Sequence, residues 1–157
     1  MRRRTKCSCS GCQSACTNKP GWMKFGDEIK MAKQLCISIQ ELFDKYLMVD
    51  FWNSDEDHEE DVFILSPAVI SGTPGKEFPY NPRGVCVFYK RGLCGVHKSS
   101  PFECRHYIHG LGDKETHANH REAMESWNNP KAQKRIAELL GRNPVAAQGT
   151  FLDILFA

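Results

Sequence analysis

No stretch of this chain approaches the roughly 18 consecutive apolar residues that a membrane helix needs, so a membrane-spanning role is not expected. An excess of charge of one sign is nearly absent as well. A formal net charge of +2 is too small to argue for a nucleic-acid partner. There is no internal repeat, no G-x-S-x-G nucleophile turn, no phosphate loop, no HExxH and no dinucleotide fingerprint. No familiar enzyme class is therefore indicated. An apolar leader is missing too. The basic start, Met1-Arg2-Arg3-Arg4, is followed by Cys7-Ser8-Cys9-Ser10-Gly11-Cys12, so the expectation is a cytoplasmic protein without an export signal.

What is present suits one globular domain. The 157 residues are 41% hydrophobic and 25% charged, enough to bury a core of ordinary size. Residues 1–6 read as a flexible tail and residues 7–157 as a single cysteine-cluster metal-binding domain. The segment 7–21 is rich in Cys, Ser, Gly and Pro and has no apolar periodicity, so a crosslink or a metal must hold it.

Helical periodicity begins near Asp27, a candidate N-cap, with Ile29, Ala32 and Leu35 on one face. Ser38 with Glu41 three residues on reads as a capping box that opens a second helix. The apolar face of that helix is Ile39, Leu42, Phe43, Tyr46 and Leu47. The acidic run 54–61 reads as a solvated loop; it lacks the spaced ligands and the Gly of an EF-hand. A short strand is expected over Val62–Leu65, then a long irregular loop over 66–84 that something must fix. The segments 85–89 and 93–96 flank Lys90-Arg91-Gly92, a hairpin signal. One helix is expected from Lys114 to Trp127. Asn129 as N-cap and Pro130 in the first position open another, which stops at Gly141. The fold class is α+β: a small, mostly helical single domain with a short hairpin and long loops organised around a cysteine metal cluster.

Eight cysteines are many for a chain in a reducing compartment, where grouped thiols more often bind metal than form disulfides. One group is Cys7, Cys9, Cys12 and Cys16; the other is Cys86, Cys94 and Cys104. Thiolates are soft ligands that favour zinc, iron–sulfur clusters or cuprous ion over magnesium or calcium. The Cys9-x-x-Cys12 step turns the backbone so that both sulfurs reach one ion. Cys16 adds a third, and the rest must come from the hairpin group. Cys36 follows Leu35 on an apolar helix and reads as a packed core thiol. His97, His106 and His109 flank the second group, and His97 is a possible ligand or hydrogen-bond partner. His117 and His120 lie three apart on one helix face. Arg105 stands ready either to offset thiolate charge or to pair with a carboxylate such as Glu103 or Asp113.

At these residues the chain resembles the CxxCxxCC cysteine-cluster family, the YkgJ-like zinc- or iron-chelating proteins. The first family motif aligns with Cys9-Ser10-Gly11-Cys12-Gln13-Ser14-Ala15-Cys16, with Ala15 in place of one cysteine and Cys7 as a substitute sulfur nearby. Met23 to Leu47 follows its helical segment loosely. The second motif aligns with Cys86-Val87-Phe88-Tyr89, Cys94-Gly95-Val96-His97 and Ser100-Pro101-Phe102-Glu103-Cys104-Arg105. Together these cover about residues 9–110. The resemblance implies metal binding and no settled reaction. The flagellin lysine N-methylase is similar to this family in its cysteine cluster, and methyl transfer on an iron–sulfur centre is the catalytic expectation that comes with it.

The leading expectation is a metal-binding protein that chelates zinc or a [4Fe–4S] cluster through Cys9, Cys12, Cys16, Cys86, Cys94 and Cys104. An iron–sulfur enzyme of methyl-transfer or redox type, using the cluster and Arg105, is the first alternative. A zinc-stabilised nucleic-acid or ribosome-associated protein is the second, with Arg2–Arg4, Lys6, Trp22 and Phe25 as a basic aromatic patch. The sequence names no protein partner.

Overall fold

Two amphipathic helices come early in the described part of the chain. In the computed structural model, which describes residues 16–57, 59–106 and 111–145, α1 spans Asp27–Leu35 and α2 spans Ile39–Tyr46. Ser38 caps α2: its Oγ accepts the Glu41 amide at 3.0 Å. Leu42 and Phe43 of that helix are buried, with Ile39 and Tyr46 packed beside them. The α1 expectation needs two corrections. Gly26, not Asp27, is the N-cap, because the Asp27 carboxylate is used elsewhere: it accepts the amides of Lys24 (3.0 Å) and Phe102 (2.9 Å). The inward face is Glu28, Met31 and Ala32, whereas Ile29 is half exposed.

Leu47 does not extend α2. It starts β1, Leu47–Trp52, which pairs antiparallel with β2, Val62–Pro67, in the register Leu47↔Pro67 to Trp52↔Val62. The acidic loop joins the two strands at the surface. The irregular stretch after β2 is fixed by backbone bonds. Val49 N–H donates to Lys76 O (3.0 Å) and Phe78 N–H to Val49 O (2.7 Å), which covers the outer edge of β1.

The expected hairpin forms, shorter than its sequence signal. β3 is Tyr89–Lys90 and β4 is Leu93–Cys94, joined by Arg91 and Gly92, both at positive φ (53° and 77°). Two left-handed residues are what a type I′ turn demands, and Gly supplies one without steric cost. A 3₁₀ turn, His97–Ser99, leads to the short helix α3, Phe102–His106.

α4, Asp113–Trp127, and α5, Pro130–Leu140, close the fold. Asn129 caps α5 by accepting the Ala132 amide at 2.9 Å, with Pro130 behind it, and left-handed Gly141 ends the helix. These helices pack on β2. Gln133 meets the strand edge directly: its Nε2–H donates to Phe63 O (2.9 Å) and its Oε1 accepts the Phe63 amide (3.3 Å). Met23, Met31, Leu42, Phe43, Ile64, Leu65, Met124, Trp127 and Ile136 are all fully buried in the core between them. The chain is thus a small α+β protein with five α-helices and two small antiparallel sheets among the described residues. No helix among the described residues is long and apolar enough to cross a membrane.

Candidate metal centre

The second cysteine group is built on backbone pairing. Cys86 lies opposite Val69 in an isolated antiparallel bridge, flanked by Ile70 N–H to Val85 O (2.8 Å) and Val87 N–H to Ala68 O (3.0 Å). Cys94 lies opposite Tyr89 in the hairpin. Cys16, the described member of the first group, is paired with the second through the backbone. Cys86 N–H donates to Cys16 O at 2.8 Å, and Gly84 N–H donates to Asn18 O at 2.7 Å. Residues 16 and 86, far apart in sequence, are therefore neighbours.

The Cys86 thiol is buried, and burial is the main force that pushes its pKa up, to about 12. The sulfurs of Cys94 and Cys16 add to the rise, so each lies within electrostatic reach of Cys86. The backbone amides of Phe88 and Tyr89 oppose it by hydrogen bonding to the Cys86 sulfur. Amides two and three residues beyond a cysteine, turned toward its sulfur, favour a thiolate once a cation replaces the proton.

Cys104 is reached through the strap that runs from Cys16 to Met23. At its far end Trp22 N–H donates to Glu103 Oε2 (2.8 Å), and Glu103 N–H returns to Trp22 O (3.2 Å). Gly21 permits this approach. A Cβ there would stand 2.9 Å from the Cys104 sulfur and 2.9 Å from Glu103 Cβ, closer than real side chains come. Glu103 Oε1 also accepts a hydrogen bond from Nδ1 of His120 on α4. The His120 ring stacks on the Trp22 indole, with centroids 3.3 Å apart and planes 17° from parallel. The indole N–H donates to buried Asp50 on β1 at 2.8 Å.

Of the expected ligands, Cys16 meets Cys86 through the backbone, Cys94 acts electrostatically on Cys86, and Cys104 lies by Gly21 at the opposite end of the strap. Cys9 and Cys12, with Cys7, fall outside the described residues. Among the described residues no three His, Cys, Asp or Glu side chains form a ready-made metal site, and no disulfide joins any two of Cys16, Cys36, Cys86, Cys94 and Cys104. The donor chemistry is that of a soft ion, because thiols are soft ligands and those of Cys16 and Cys94 both act on the buried Cys86.

Other candidates are placed elsewhere. Cys36 is not a core thiol. It is exposed, because α1 ends at Leu35 and Cys36 takes the left-handed capping conformation (φ 56°). Arg105 donates to Asp27 Oδ1 (3.1 Å) and to Ser100 O, so its guanidinium is committed to neither Glu103 nor an anionic substrate. Trp22 is buried and Phe25 packs edge-on against Trp127 (5.2 Å), which removes the aromatic half of the nucleic-acid expectation. His106 Nδ1 bonds Phe102 O (2.8 Å), His117 lies against Trp52 (5.5 Å), and His97 is half-buried in the 3₁₀ turn. His109 is outside the described residues. The Glu103–His120–Trp22 arrangement had no spacing signal to announce it, because its members come from three separate segments. No protein-family model, no curated protein and no solved structure matches the chain.

Proposed function

We propose that this chain is a metal-binding protein whose thiolates, drawn from residues 9–16 and 86–104, chelate a zinc ion or an iron–sulfur cluster. Cys9, Cys12, Cys16, Cys86, Cys94 and Cys104 are the donors. The observation that carries the reading is the 2.8 Å hydrogen bond from Cys86 N–H to Cys16 O, which sets the last cysteine of the first motif beside the first cysteine of the second. The order of the two cysteine motifs, similar to that of the CxxCxxCC family, supports it independently. So does the loop-rich character of the cysteine region, since ligation supplies folding energy that such loops lack. The chain's own contribution is to exclude water from Cys86 and to aim amides at its sulfur, so that releasing the thiol proton to a bound cation is not resisted by burial alone.

The test is elemental analysis with an absorption spectrum on protein purified without oxygen. About four irons with a broad visible band identify a [4Fe–4S] centre, and one zinc without colour identifies a chelated ion. Failure to retain either metal after anaerobic reconstitution overturns the proposal.

A further inference from the structure

The polar network beside Cys104 is too costly to be casual. Glu103 uses both carboxylate oxygens, one on the Trp22 amide and one on His120 Nδ1, and its side chain is only 17% exposed. His120 is held flat by Trp22, and Trp22 is held by Asp50, itself in contact with Lys19 Nζ at 3.5 Å. The strap and α4 thus both grip the residue that precedes a candidate ligand, and β1 steadies the strap. The strap they grip is the one whose other end pairs Cys16 with Cys86. Setting the strap at both ends sets the separation of the Cys104 sulfur from the Cys16–Cys86 pair. Gly21 of the strap lies directly against that sulfur, close enough that a Cβ there would stand 2.9 Å from it.

We infer that His120, acting through Glu103, is a positioning residue that holds Cys104 in place to serve as a metal ligand. This rests on the metal-binding reading above. His120 touches no metal in this scheme. It donates one hydrogen bond, and the carboxylate that accepts it fixes the turn bearing Cys104. Partners of this kind are typically worth about 10–100-fold in metal affinity.

The experiment loads the full chain with cadmium alone, pulses it with iodoacetamide and reads the labelling rate of each cysteine by peptide mass spectrometry. In the unaltered protein, cadmium slows labelling of Cys16, Cys86, Cys94 and Cys104 together. His120→Phe keeps a ring on Trp22 but removes the donor. Labelling of Cys104 in the loaded protein is then expected to rise about 10–100-fold, while Cys86 stays protected. His120→Asn returns an N–H donor near the Nδ1 position and restores protection. If phenylalanine is not accommodated, so that all cysteines label quickly, Glu103→Gln keeps the side-chain volume and is expected to give the same selective loss. Cys104 protected equally in His120→Phe and the unaltered chain overturns the positioning role and leaves the metal reading standing. No cadmium protection at any cysteine of the unaltered chain overturns both.

Discussion

Around Trp127 the molecule is held by large buried side chains; around Cys86 it has Phe88 and Val96 and otherwise leans on backbone pairing. Trp127 is fully buried, its indole N–H donates to Met23 O at 2.7 Å, and α4, α5 and β2 enclose it with Met124, Ile136 and Ile64. The cysteine region has two-residue strands, an isolated bridge and a strap joined by single hydrogen bonds. Burial of large apolar side chains stabilises by roughly 1.5–3 kcal/mol each, whereas a lone hydrogen bond contributes about 1 kcal/mol net. The first region has the means to fold unaided. The second is the one that gains from an added crosslink, and it is where the thiols are.

The sharpest way to break this contrast is to remove the centre of the first region. Trp127→Ala is expected to cost about 3–5 kcal/mol in urea unfolding. A loss under 1 kcal/mol would mean that the helical half is not the stabilising one. Next in size is Cys12→Ser. If both cysteine groups serve one centre, hydrogen exchange should speed up across residues 86–105 and leave α5 unchanged. Faster exchange confined to the N-terminal segment would sink the shared centre.

A smaller effect comes from Glu28, a carboxyl buried beside the core, whose pKa burial raises above its ordinary 4.5 despite the Arg135 guanidinium 2.9 Å away. Its proton is held more tightly in the folded chain than in the unfolded one. The stability it contributes is therefore complete below 4.5 and is lost as the pH climbs through the raised value. Glu28→Gln, which mimics the protonated form, should gain on the unaltered protein over that window. A stability difference that does not change with pH argues against it. Least of all is expected from Cys36→Ser. This exposed thiol lies outside both regions' contacts, so unfolding should shift by no more than about 0.5 kcal/mol, with metal content unchanged.

Local chemistry made several elements readable. Ser38, the Asn129-Pro130 pair, Gly141 and the Arg91-Gly92 turn each act through a cap or a turn that needs only a few neighbouring residues. β1 was hidden for the opposite reason. Leu47 continues the apolar spacing of α2, no Gly or Pro separates them, and only pairing with β2 makes 47–52 a strand. Cys36 was misread because a one-residue difference in where α1 ends turns a core position into a capping one. At the site, the paired cysteine motifs pointed to the meeting of Cys16 with Cys86. The embrace of Glu103 by His120 and Trp22 was invisible, because it depends on three segments that meet only in the folded chain.

The strap has a consequence for how the protein is made. Its partners, Cys86, Glu103 and His120, all lie far downstream, and the Trp127 indole reaches Met23 across 104 residues. At about 5–20 residues per second, a ribosome needs on the order of 5–20 seconds to supply that much chain. For that interval Cys16 has been made without the residues that it pairs with in the fold. The cysteine face therefore cannot be assembled before residues 86–120 have been made, and until then Cys16 is open to oxidation or stray metal.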